Sequence, residues 1–572
     1  MAETLREELI QVARGEREAD LVLKNARVVN VFAGDVHMAD VAIAHSYIAG
    51  VGEYRAHQEI DLEGRYLAPG FIDGHVHIES SMVSVPEFGR AVVPRGTTTV
   101  IADPHEIANV LGLDGVRYIL ETSKYNPLSV YVMAPSCVPA TALETAGSSL
   151  SAEDIAPLLA DKWVLGLAEM MNYPGVLFCD PAVLGKIDAA RGQPIDGHAP
   201  GLSGKDLSAY VAAGVASDHE CTTVEEAREK LRLGMHIMIR EGSTARNLHD
   251  LLPLVTPQNA RRCLLVTDDR HPSDLLREGH IDHLVREAIA SGLDPMLAIQ
   301  MATLNAAEYF GLADKGAIAP GRRADLVVFA DLHDLHAEKV FRNGALVAQD
   351  GRVLPDVIHP ATTALSSSVN IPPLGEDAFR VPAAGERLRV IGAIPGQIVT
   401  QKLLLPPRVV DGQAVADVER DILKLAVVER HLASGRVSTA FCRGFGLQRG
   451  AIASSVAHDS HNVIVLGAND ADMRAAVQEI VRMKGGLVAV LEGQPIATVP
   501  LPIAGLMSDQ PLETVARQLD ALLTAAKELG CTLHDPFMSL AFLALPVIPA
   551  LKLTDRGLVD VTQFRFVPLF EG

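Results

Sequence analysis

The chain has 572 residues, 48% hydrophobic, 21% charged and only 4% aromatic; this is globular composition, too long for one core, so two or three domains are expected. A net charge of -21 excludes nucleic acid as an expected partner, because phosphates would be repelled, and without a run of about 18 apolar residues no membrane span is expected. Six scattered cysteines with no C-x-x-C pair exclude a zinc ribbon or a disulfide framework and fit the cytoplasm.

The first stretch, MAETLREELIQVARGEREADL, has the charged amphipathic pattern of a helix and lacks an apolar secretory core. Residues 20 to 68 read as short strands, with β-branched residues between Gly, Asn and Asp turn signals. The same texture returns between Lys315 and Arg352. The two pieces are expected to form one small composite β-sandwich domain, spanning 1–69 and 315–374; two unrelated hairpin regions are the alternative.

Between them, strand-like and helix-like runs alternate, as parallel βαβ units do. Eight strand candidates end in His75 and His77; in Asp103, His105 and Glu106; in Ser136 and Cys137; in Glu169; in His198; in His219; in Arg240 and Glu241; and in Asp268 and Asp269. Helical segments separate many of them, such as TTVEEAREKLRLG, with Thr223 as N-cap, Glu226 three residues on and Gly234 as stop. Eight units in residues 70–314 match a (β/α)8 barrel, whose active site lies at the C-terminal ends of the strands. A doubly wound open sheet is the alternative, but it leaves ligand-type residues at nearly every strand end unexplained. Residues 375–572 read as a separate α/β domain.

The stretch PGFIDGHVHIESSM is the strongest chemical signal. In an extended segment alternate side chains share a side, so His75, His77 and Glu79 are expected to face one spot. His75, His77, Glu169, His198, His219 and Asp268 form a donor set too large for one tetrahedral ion. It suits two metals, with Glu169 as a shared carboxylate. Asp269, beside Asp268, is the competing carboxylate at the last strand end. In the final domain SVAHDSHN offers His458, Asp459 and His461, either as a second metal site or lid, or as a turn packed on the barrel.

PGFIDGHVHIE resembles the first-strand motif of the amidohydrolase superfamily. ADPHEIANV, SCVPA, GLAEMMNYPGV, DGHAPGL, MIREGSTARN and TDDRHP resemble the bacterial adenine deaminase family, and GFGLQRGAIASSVAHDSHN and VPLPIAGLMS extend the likeness to Ser508. The resemblance implies a metal-dependent hydrolase barrel with two divalent ions, commonly manganese or iron, zinc being a further option. It supports the six-residue ligand set with Glu169, not a carboxylated lysine, as the bridge. It implies hydrolytic deamination of a small-molecule purine by a homo-oligomer. Asp268 would accept the proton of the attacking water, Glu79 would meet a ring nitrogen, and His105 and Glu106 would stabilise charge or shuttle protons. Ser136 and Cys137, with Glu106, would line the purine pocket. A cyclic amidohydrolase of the dihydropyrimidine or hydantoin type and a catalytically silent barrel scaffold are the competing expectations.

Overall fold

The computed structural model describes residues 3–124, 126–355, 365 and 368–571. All eight expected barrel strands are present. Phe71–Val76, Thr97–Ala102, Ser129–Ala134, Val164–Met170 and Ile195–Gly197 form a parallel sheet of five; Ser217–Asp218, His236–Arg240 and Cys263–Val266 form a parallel sheet of three. Two seams join them into a ring. At one, the Ala216 N–H donates to Ile195 O at 2.9 Å and the His236 N–H to Ala216 O at 2.8 Å. At the other, Val76 pairs in parallel with Asp268; the Asp268 N–H donates to His75 O at 3.0 Å and the His77 N–H to Asp268 O at 3.2 Å. The second seam therefore runs through three of the expected metal donors.

Strand alternation divides the apolar residues between two cores. Ile72, Ile101, Met133, Ala168, Met238 and Leu264 pack inside the ring. Their neighbours Phe71, Val100, Val132, Leu167, Ile237 and Leu265 pack outward. In the helix Val224–Arg232, the Thr223 side chain accepts the Glu226 N–H at 3.3 Å, and Gly234 follows the helix with φ +92°.

The two separated β pieces share one nine-stranded sheet, joined where Tyr66–Pro69 pairs antiparallel with Leu326–Phe329. Leu326 and Val328 enter a core enclosed by the sheet itself, with Leu23, Val28, Leu67 and Phe341. Val327 and Phe329 turn to the barrel core. The last strand of the second piece is Arg352–Val353; of the residues expected to follow it, 356–364, 366 and 367 lie outside the described ones. The C-terminal part carries a second nine-stranded sheet, mostly antiparallel, with helices Asp470–Met483 and Leu512–Glu528 against it. It is tied to the barrel by Ser508 N–H to Met82 O at 2.8 Å, Arg277 to Asp520 at 2.5 Å and Asn462 Nδ2 to Thr145 O at 2.7 Å. No helix among the described residues is long and apolar enough to cross a membrane.

A buried ion pair lies where the first sheet meets the barrel, and its Lys315 Nζ also donates to Ser129 Oγ of the third barrel strand at 3.3 Å. Lys315 Nζ lies 2.5 Å from Asp325 Oδ2, whose other oxygen accepts the Asn343 N–H at 2.7 Å. Burial opposes ionisation of Asp325, but the Lys315 charge and these hydrogen bonds outweigh it and leave its pKa lowered. Its stabilising effect is present above the ordinary carboxylate pKa and is lost as pH falls through the lowered one. Lys315→Met leaves a buried carboxylate unpaired, which costs about 3–5 kcal/mol. The thermal midpoint should drop at pH 7, and the gap from wild type should narrow as pH falls below about 4 and the carboxyl protonates.

Candidate metal centre

Glu169 stands at the end of the fourth barrel strand, and its two oxygens face different histidine pairs. Oε1 lies 3.4 Å from His77 Nε2 and 3.9 Å from His75 Nε2. Oε2 lies 2.6 Å from His198 Nδ1 and 3.2 Å from His219 Nε2. Asp268 closes the first group, with Oδ1 at 3.1 Å from His77 Nε2 and 3.6 Å from His75 Nε2. Four strand ends and the strand-closing turn thus place all six expected donors around one buried spot, with only His198 part-exposed.

The tautomer of His77 follows from its partner. Nδ1 lies 3.0 Å from the Asp103 carbonyl oxygen, which can only accept. A ring proton is therefore on Nδ1, and Nε2 is turned to the carboxylates, the arrangement by which an outer partner orients a metal-binding imidazole. His75 Nε2 is buried and has no hydrogen-bond partner among the described residues. Donors spaced 3–4 Å apart suit ligation at about 2.0–2.2 Å. The residues fit a divalent pair in which Glu169 is shared.

The electrostatics agree. Burial alone would raise the Glu169 pKa, but His219 and His198, by charge and hydrogen bonding, hold it well below the ordinary carboxylate range. Burial works the same way on Asp268 and is overcome by the imidazoles of His75 and His77 beside it and by the charge of Arg240. Both groups are thus held as anions where water cannot stabilise them.

Two residues to which the sequence assigned no part in the site, Glu220 and the strand-end Arg240, complete the surroundings. Glu220 Oε1 lies 3.6 Å from both His198 Nδ1 and His219 Nε2. Arg240 donates to both Glu220 oxygens and, at 2.9 Å, to Asp268 Oδ2. The available signal for Glu220 was its place next to His219 at a strand end. Asp103 Oδ1 accepts the His105 N–H at 3.2 Å and Oδ2 the Glu169 N–H at 3.3 Å, so it braces the second and fourth strand ends.

The other expected residues divide. Asp268 takes up φ +58°, a left-handed conformation that Asp tolerates better than most residues, and faces the imidazoles. Asp269 instead accepts a hydrogen bond from Ser80 Oγ. His105 reaches the site, with Nδ1 3.5 Å from Glu169 Oε1. Glu106 lines the same cavity. Glu79 does not point in step with the histidines: the strand ends at Val76, the chain turns into the 3-10 segment Ile78–Ser81, and strand alternation stops. Its Oε1 accepts the Ile107 N–H at 3.1 Å, and it lines a separate small void with Glu106 and His458. Burial, then the charge of Glu106, raises its pKa to about 7. Ser136 and Cys137 line a neighbouring groove and not the donors' cavity. The Ser136 hydroxyl donates to the Glu169 carbonyl at 2.5 Å, which makes it a support for the bridge.

His458, Asp459 and His461 sit on the connection between Ala451–Ser454 and Val463–Gly467 of the C-terminal sheet. His458 and Asp459 line the donors' cavity from the side opposite the barrel.

Comparison with known proteins matches residues 66–347 to the amidohydrolase family and residues 397–565 to the adenine deaminase C-terminal domain. An adenine deaminase of Desulfatibacillum aliphaticivorans is 55% identical over 567 residues, covering 99% of this chain and 100% of the relative. An adenine deaminase of Methanothrix thermoacetophila is 51% identical over 567 residues, covering 99% of each chain. A crystal structure of an adenine deaminase is similar at 20% identity and a TM-score of 0.45, covering 57% of this chain and 99% of that one.

A shared Glu169 makes a direct prediction about stoichiometry. Wild-type protein loaded with manganese should retain about two ions per chain by elemental analysis. Glu169→Gln should retain one or fewer while its far-UV circular dichroism is unchanged.

Proposed function

This chain belongs to the adenine deaminase family, and from that membership and the geometry of the centre we propose that it hydrolyses adenine to hypoxanthine and ammonia. The observation that carries the reading is the position of Glu169 between the pairs His75/His77 and His198/His219, with Asp268 alongside. These six residues would hold two divalent ions. A donor set of imidazoles and carboxylates without thiolate favours manganese or iron, and zinc is also accommodated. Bound there, such ions lower the pKa of water and neutralise charge that develops at the reacting centre.

The chain's own groups then act in order. The cavity has a polar floor at the strand ends and an apolar rim that includes Met171, Phe542 and Leu545, suited to a flat heterocycle. Adenine lies with C6 over the floor. Asp268 Oδ1 takes a proton from the attacking water as oxygen adds to C6, and Arg240 fixes the other oxygen of the carboxylate so that the proton acceptor keeps its orientation. The resulting tetrahedral carbon carries both oxygen and the amino group. Asp268 returns the proton to that nitrogen, the C–N bond breaks, and ammonia leaves. On the cavity wall, His105 stabilises the negative charge that builds on the ring, and Glu106 beside it serves to shuttle protons. Glu79 and the pair Ser136 and Cys137 are left out of direct substrate contact. All six cysteines are free, which supports work in a reducing cytoplasm; conversion of adenine to hypoxanthine would serve purine salvage.

Ammonia release from a purine panel tests the reading: adenine should be turned over, whereas hydantoin and dihydrouracil should not be opened. Activity should vanish on chelation and return with added manganese or iron(II). Asp268→Asn should lower kcat by about 10²–10⁴-fold with folding unchanged; near-normal turnover would reject its assigned part.

A further inference from the structure

The cavity over the donors is covered on one side by the C-terminal part of the chain. Ile398, Phe542, Leu545 and Ile548 form its apolar roof. The roof is braced from behind: Lys552 Nζ donates to Ile398 O at 2.7 Å and to Phe542 O at 2.8 Å. The segment Ala457–Asn462 enters beside it. Asn462 anchors this segment to the barrel loop through Thr145 O, and His431 Nε2 lies 2.7 Å from Ser460 O.

Glu106, His458 and His461 are close enough to suggest a third cation site, but proton positions argue otherwise. The Ala457 N–H donates to His461 Nδ1 at 3.2 Å, so the neutral ring carries its proton on Nε2. That N–H faces Glu106 Oε2 at 3.9 Å, and His458 Nδ1 lies 3.1 Å from Glu106 Oε1. The two rings steer Glu106 and present no pair of lone pairs to an ion. His458 is held in turn by stacking on Phe542, with ring centres 4.6 Å apart.

Asp459 is held only loosely: its Oδ1 lies 3.7 Å from His458 Nδ1. It is 3% exposed and lines the cavity; its Oδ2 is buried and accepts no hydrogen bond among the described residues. A buried acceptor with no donor calls for one from the cavity's occupant. With C6 over the barrel floor, the imidazole edge of adenine faces the roof. Free adenine carries one ring N–H there, and a nucleoside, substituted at N9, does not.

Resting on the adenine deaminase reading, we propose that Asp459 accepts the imidazole N–H of the substrate and so selects the free base over N9-substituted purines. It is a specificity-determining residue supplied by the C-terminal part of the chain, and the cost of leaving it unpaired falls on any substrate lacking that donor.

Steady-state kinetics of the metal-loaded full chain with adenine and 9-methyladenine test this. For Asp459→Ala, KM for adenine should rise about 10- to 100-fold with kcat changed only a few-fold, and 9-methyladenine should lose nothing, so the preference for adenine collapses. Asp459→Asn keeps the shape and a weaker acceptor, and should fall between the two; it stands alone as the test if the alanine variant does not fold. An unchanged adenine KM in a folded variant, or an equal loss with both purines, would overturn the assignment. Absence of adenine turnover by wild type would overturn the functional reading and this inference together, whereas normal wild-type turnover with an unaltered preference in the variants would overturn this inference alone.

Discussion

A carboxylate removed from water must find positive charge or give up its own. Glu169 is 3% exposed and still held well below its ordinary pKa, because imidazoles crowd both of its oxygens. Asp268, close by, is under the same constraint and has the additional support of Arg240. Packing two carboxylates and four imidazoles out of water is costly for folding alone, and it becomes favourable around cations. The rest of the barrel can be understood as the frame that enforces this crowding. Strand alternation separates an inner core from an outer one, and the closing seam is made by the backbone of His75, His77 and Asp268 themselves. Donor placement and barrel closure are thus the same set of hydrogen bonds.

The C-terminal part acts on the opposite side of the cavity. Its apolar roof of Ile398, Phe542, Leu545 and Ile548 faces the polar floor, and apolar cover of this kind strengthens electrostatic interactions beneath it. Its inserted segment reaches Glu106 with two imidazoles and brings Asp459, with one oxygen that accepts no hydrogen bond among the described residues, to the cavity. The barrel alone would therefore present the donors in an open mouth. Enclosure and the proposed purine selection draw on both parts of the chain, which accounts for the many polar ties between them, such as Asp555 accepting from Thr145 and Arg436 donating to Thr145 Oγ1.

Much of this was legible from residue order. The eight strands could be read because each is a short apolar run ended by a polar residue, and the ends coincide with the donors. Strand periodicity also explains why His75 and His77 act together. The same rule misled for Glu79, since it holds only while the backbone stays extended, and the chain turns immediately after His77. Ser136 and Cys137 were placed at the correct strand end but on the wrong side of it, because loop direction after a strand is decided by packing and not by local pattern. The choice between Asp268 and Asp269 depended on one left-handed backbone angle that no spacing rule specifies. Glu220, Arg240 and the contact of His458 with Glu106 join positions far apart in the chain, and only tertiary packing brings them together.

The central claim is that Glu169 is shared between two cations. Crystals loaded with manganese and measured at its absorption edge test it most directly. The account predicts two anomalous peaks, one against His75, His77 and Asp268 and the other against His198 and His219, each bonded to a different Glu169 oxygen. A single peak, or ions lying away from Glu169, would contradict it.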